Sequence, residues 1–122
     1  MASPSGLSRA TAFEFTGADS PRTWVGSVSL QPGARTGPHH HGRHEVGLYV
    51  AKGRTQILWG ERLEFMADVA PGDFVYFAPY VPHEERNLQR DKAAEFVVVR
   101  TDNERISVPV EVNPVTAPER IW

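Results

Sequence analysis

Short apolar and β-branched runs recur along this chain every 8–12 residues, each closed by a Gly, Pro or acidic turn. Thr23–Leu30 stops at Gln31-Pro32-Gly33, Val46–Ala51 at Lys52-Gly53, and Arg54–Trp59 at Gly60-Glu61. Leu63–Val69 ends in Ala70-Pro71-Gly72-Asp73, and Phe74–Phe77 in the doubly Pro-broken 78–82. His83–Leu88 and Ala93–Arg100 flank a charged turn at Gln89–Lys92, and Thr11–Phe15 reads as a further short strand closed by residues 16–21. An amphipathic helix needs apolar residues three and four apart over ten or more positions, and no such window is free of Gly and Pro. The chain is therefore expected to be all-β, an antiparallel sandwich or barrel.

At 122 residues with 40% hydrophobic content, one domain with a core of its own is expected. The Ser/Ala-rich residues 1–10 read as a flexible tail, 11–112 as the domain and 113–122 as a Pro-interrupted C-terminal tail. Ile106–Val112 is a possible edge strand. Trp122 should pack on the barrel or on a second subunit, because a large aromatic gains about 1.5–3 kcal/mol on burial. Thirteen basic against fifteen acidic residues give no footprint for nucleic acid. With no cysteine, a disulfide framework, a thiolate zinc site and a cysteine nucleophile are all excluded. Met1–Ala12 lacks the apolar core of a signal peptide and no apolar run approaches a membrane span, so the expectation is a cytoplasmic protein with no membrane partner.

Four of the five histidines fall within Pro38-His39-His40-His41-Gly42-Arg43-His44-Glu45. On an extended backbone His39 and His41 share a face, and Glu45 joins them if the strand resumes regularly after Gly42. His83 stands far away, after a Pro and at the start of a strand. Three neutral imidazoles and a carboxylate suit a divalent transition metal such as Mn, Fe, Co, Ni, Cu or Zn.

These segments resemble the two motifs of the cupin superfamily. The first reads G-x5-H-x-H-x(3 or 4)-E-x6-G, and Gly33, His39, His41 and Glu45 match it. Gly53 lies one residue too far from Glu45, which predicts a β-bulge near Val46–Leu48 or, alternatively, His44 as the third ligand. The second, G-x5-P-x-G-x2-H-x3-N, is matched by Gly72, His83 and Asn87, with Ala78 and Tyr80 at its usual Pro and Gly. The resemblance covers about residues 24–100 and implies an antiparallel double-stranded β-helix, the cupin or jelly-roll barrel. Inside it His39, His41, Glu45 and His83 would hold one divalent ion. It also implies a homodimer, and an activity among dioxygenases, lyases, isomerases, decarboxylases and non-catalytic sensing or storage proteins.

Of the remaining residues, Trp24, Tyr49, Trp59 and Tyr76 are candidates for core or pocket wall. Glu85 shares the His83 face by alternation and is a candidate to orient an imidazole, whereas Glu84 is expected to be exposed. Arg54 and Arg100 are candidate carboxylate clamps, with a surface salt bridge as the plainer role. Glu45, beside its ligand role, is a candidate proton shuttle. The leading expectation is a metal-dependent enzyme, foremost a dioxygenase-type oxidoreductase, on a small organic acid, diketone or phenolic substrate. The alternative is a cupin that binds a metabolite without turning it over.

Overall fold

Alternation along each strand decides which side chains meet inside. The computed structural model describes residues 7–13, 22–101 and 106–122. Residues 1–6, most of the expected N-terminal tail, and the expected turn at 16–21 lie outside them. One sheet runs in the order β1 (Leu7–Phe13), β2 (Trp24–Leu30), β9 (Ala94–Arg100), β4 (Val46–Lys52), β7 (Phe74–Phe77). The other runs β10 (Val108–Pro109), β3 (His39–His40), β8 (His83–Arg86), β5 (Thr55–Trp59), β6 (Phe65–Val69), β11 (Glu119–Arg120). β1 begins at Leu7, inside the stretch expected to be a tail.

Pairing radiates from the β5–β6 hairpin. β5 pairs with β6, β4 with β7, β3 with β8 and β2 with β9, all antiparallel. The chain is thus one long hairpin whose two arms are wound together, with β4–β9 and β5–β8 joining successive turns. That is a double-stranded β-helix, as the motifs imply. Among the described residues no helix is long and apolar enough to cross a membrane.

The inward positions of β4 are Val46, Leu48 and Val50, and those of β9 are Ala94, Phe96, Val98 and Arg100, all buried. Trp24 and Leu30 of β2 and Phe77 of β7, in the same sheet, and Ile57 of β5, from the facing one, complete this core. Each large apolar side chain so enclosed contributes about 1.5–3 kcal/mol. Buried Asn87 ties the strand ends together, its Nδ2 donating to the carbonyls of Leu30, Gln31 and Lys92 at 2.8–3.2 Å.

The predicted bulge is not at Val46–Leu48, where β4 pairs regularly with both neighbours. The irregularity lies at Ala51, since Val50 faces Phe96 and Lys52 faces Glu95. The next turn needs a glycine: Gly53 has φ +78°, and a Cβ there would meet the Ala93 carbonyl oxygen at 2.8 Å. On the far edge β11 runs parallel to β6, where the sequence showed only a Pro-broken tail.

Candidate metal centre

Strand β3 and its continuation turn His39 and His41 inward, while His40 turns out to meet the Tyr80 ring. Across the ladder His39 pairs directly with His83 of β8. The three inward rings lie with centroids 4.3–5.1 Å apart. Their ligand atoms fall within 4.8 Å of one another.

The hydrogen bonds set the tautomer. Nδ1–H of His39 donates to the Gly37 carbonyl at 3.0 Å, that of His41 to Ile106 at 2.8 Å, and that of His83 to Val81 at 3.0 Å. A carbonyl only accepts, so each ring carries its proton on Nδ1 and presents the Nε2 lone pair. His83 is 1% exposed, and its Nε2 finds no hydrogen-bond partner among the described residues. An orphaned buried acceptor is costly unless something with positive charge meets it. Phe77 is stacked on the His83 ring and holds its plane.

The acidic group beside the three histidines is Glu85. It follows His83 by two residues, so alternation gives both the same face. One Glu85 oxygen accepts from the Thr36 hydroxyl at 2.9 Å, and the other lies 4.0 Å from His83 Nε2, too far for a hydrogen bond. Thr36 Oγ1 also accepts the Glu85 backbone N–H at 3.1 Å, so the carboxylate is held from both ends. A cavity of about 60 Å³ borders His39, His41, Glu85 and Thr36 on one side and Val46, Leu48 and Phe96 on the other.

Burial lowers the His41 pKa to about 4, helped by neighbouring His39 and His83. Burial likewise lowers that of His83. For Glu85 burial pushes upward, but His83, His39, the Thr36 hydroxyl and His41 outweigh it and hold the carboxyl below its ordinary value. Near neutral pH His41 and His83 are therefore neutral and Glu85 is ionised, the protonation states a cation requires. A divalent transition metal fits this donor set.

Glu45, the carboxylate the motif spacing selects, is not brought to the histidines. It is exposed, and its carboxylate accepts from the Tyr76 hydroxyl at 2.9 Å on the outer face. Val46 takes the inward position and is buried. A one-residue offset flips a side chain to the opposite face of a sheet. Counted back from Gly53, the motif's acidic position falls on Val46; the extra residue of the spacing sits at the Ala51 irregularity of β4, beyond the point at which Glu45 already faces outward. His44, the alternative ligand, lies outside the cluster that His39, His41 and His83 form.

The other candidates separate by face. Trp24 is core, with the Arg100 guanidinium 4.6 Å from its ring centroid, and Arg100 itself is buried. Trp59 points inward opposite His83, whereas Tyr49 and Tyr76 lie on the outer face. Arg54 is exposed. Glu84, expected in solvent, is fully buried between Arg86 and Arg35, the latter at 3.4 Å. Pairing with two guanidinium groups makes that burial tolerable. Thr36 was not foreseen, because nothing in a lone threonine between turn residues marks it.

A wound hairpin that aims imidazoles from two separate strands at one interior point defines a β-barrel of the double-stranded β-helix class with a candidate metal site. This chain belongs to the cupin family: the family model described as Cupin domain matches residues 26–100. No curated protein matches it in sequence. Among solved structures, oxalate oxidase superposes with a TM-score of 0.73 at 21% identity over 88% of this chain, which spans 57% of the oxalate oxidase chain. KdgF from Halomonas sp. gives 0.65 at 22% identity, covering 82% of this chain and 81% of that one. An uncharacterized conserved protein with a double-stranded β-helix domain from Klebsiella pneumoniae gives 0.71 at 17%, covering 91% and 90%. At such identities the likeness is one of fold.

Proposed function

We propose that this cupin is a metal-dependent enzyme acting on a small organic acid, diketone or phenolic compound, with oxygen-consuming oxidation as the leading reaction. The observation that carries the reading is the set of three main-chain carbonyls that fix Nδ1–H on His39, His41 and His83 and turn their Nε2 atoms toward one another. A divalent ion bound there would supply Lewis acidity and a docking point for an oxygen-rich chelating substrate. His39, His41 and His83 are its ligands in this reading, and Glu85 takes the acidic place that Glu45 vacates. Thr36 keeps Glu85 oriented and ionised. Val46, Leu48 and Phe96 keep water out and, with a cavity of about 60 Å³, favour the smallest acids and diketones of this range over the phenolics. Oxalate oxidase, a neighbour in fold, has been solved with the substrate analogue glycolate, a molecule of that size.

The test combines elemental analysis of protein purified without added metal with turnover of two- to four-carbon acids, diketones and catechols, in air and under argon. Oxygen uptake matched to product supports the reading. Turnover that persists under argon moves the chemistry to a lyase or isomerase. A second reading, metabolite binding without turnover, is favoured by the cavity lining, which beyond the donor set and Thr36 is apolar among the described residues. Thermal stabilisation by a metabolite with no product under any metal would establish it.

A further inference from the structure

A second and much larger cavity, about 570 Å³, opens at the seam between β6 and β7. It has the size of a small-molecule site. Its floor is made of core residues, Ile57, Ala67, Val69 and Phe77, each no more than 8% exposed. It is therefore a recess that reaches the interior, not a shallow face. Aromatic rings frame it: Trp59 and Phe77 within, Trp122 at the rim, where the indole is 72% exposed. β11 puts Trp122 there, since its pairing with β6 continues through Ile121 N–H to the Met66 carbonyl at 2.8 Å and Asp68 N–H to the Trp122 carbonyl at 2.9 Å.

The carboxylate and the hydroxyl of the lining are already engaged. The Asp73 carboxylate accepts the Ala70 N–H at 2.8 Å, and the Tyr76 hydroxyl donates to Glu45. Among the described residues no lysine, arginine or histidine lines the recess. A charged ligand would lose its hydration there with nothing opposite in return, and an anion would also meet Asp73. Flat aromatic walls instead suit a planar ring. Phe77 and Val81 belong both to this recess and to the surroundings of His83, Phe77 by stacking and Val81 by its carbonyl.

We infer that the recess between β6 and β7 is a binding site for an uncharged aromatic small molecule, walled by Trp59, Phe77 and Trp122 and separate from the histidine cluster. Occupancy does not require the metal ion, so the inference stands apart from the function proposed above.

The experiment titrates the full chain with the uncharged dye N-phenyl-1-naphthylamine and, in parallel, with the anionic 1-anilinonaphthalene-8-sulfonate. Saturable one-to-one binding of the neutral dye, at least tenfold tighter than the anion, is the expected result. Ala67→Phe fills the floor and Ala78→Trp fills the mouth, and each should weaken the dye at least tenfold. Trp122→Ala should weaken it severalfold, and His39→Ala should leave it unchanged. Should Ala67→Phe fail to fold, Ala78→Trp at the half-buried rim decides the matter. Non-saturating fluorescence, or equal binding by the filled variants, overturns the inference. So does self-association in sedimentation that displaces the dye, since the recess would then belong to a second copy of the chain.

Discussion

The Phe77 ring lies flat on the imidazole of His83, with centroids 3.7 Å apart and planes 9° from parallel. The stack clamps one face of the ring while the Val81 carbonyl fixes its Nδ1 edge, leaving only rotations that break one contact or the other. Phe77→Leu keeps an apolar side chain but removes the flat surface. It should cost about 1–2 kcal/mol of stability in urea unfolding and weaken cobalt binding about tenfold in calorimetry.

Glu85 and Glu45 make opposite predictions. Glu85→Gln retains the hydrogen-bond geometry around Thr36 but removes the charge, and should lower divalent-metal affinity about 10–100-fold. Glu45→Gln changes an exposed group bonded to Tyr76 and should leave affinity within about twofold, as surface pairs contribute little. Metal titration of the two variants side by side checks both. A loss confined to Glu45→Gln would return the ligand role to the motif position.

Acid should destabilise the metal-free protein in two stages. The His41 pKa falls from 6.5 unfolded to about 4 folded, so between those values the unfolded chain binds the extra proton and stability falls as the pH is lowered. At about 1.4 kcal/mol per pH unit the full effect is about 3 kcal/mol. His83 is shifted the same way. Glu85, held below its ordinary 4.5, adds stability that is lost as the pH falls from that value through its folded pKa. Urea midpoints measured at pH 7, 5.5 and 4.5 after chelation should fall in that order, and a flat profile would contradict it.

Two glycines on one strand and its turn should behave differently. Gly53→Ala forces a side chain into a left-handed conformation and against the Ala93 carbonyl, and should cost about 2 kcal/mol or more. Gly47→Ala meets open space on the outer face and should be within about 0.5 kcal/mol of the parent. Chemical denaturation distinguishes them.

Strand positions between Trp24 and Arg100 were legible because turn residues and apolar runs alternate there: Phe74–Phe77 lies where its bounding Asp73 and Ala78-Pro79 put it. The three histidines were legible for the same reason, being two apart on one strand or next to a Pro that opens another. What period-two reasoning could not supply was phase after the turn at Gly42. That glycine has φ +62°, and the chain leaves it with Val46 facing in and Glu45 facing out. Glu84 was misjudged on different grounds. Its face is the outer one, and only knowledge of Arg35 and Arg86 in space reveals that it is covered. The parallel β11 was invisible because two residues beyond a Pro carry no pattern.

The wound hairpin has a kinetic corollary. Zipping outward from Gly60 brings β5 to β6 across a short loop, whereas His39 reaches His83 only after the 43 residues between them are enclosed. Long-range closures carry the larger entropic penalty and form late. An ion would thus arrive at a chain that has already coiled: it should leave the refolding rate nearly untouched and act by slowing unfolding, with a longer-lived native state the sign of a filled barrel.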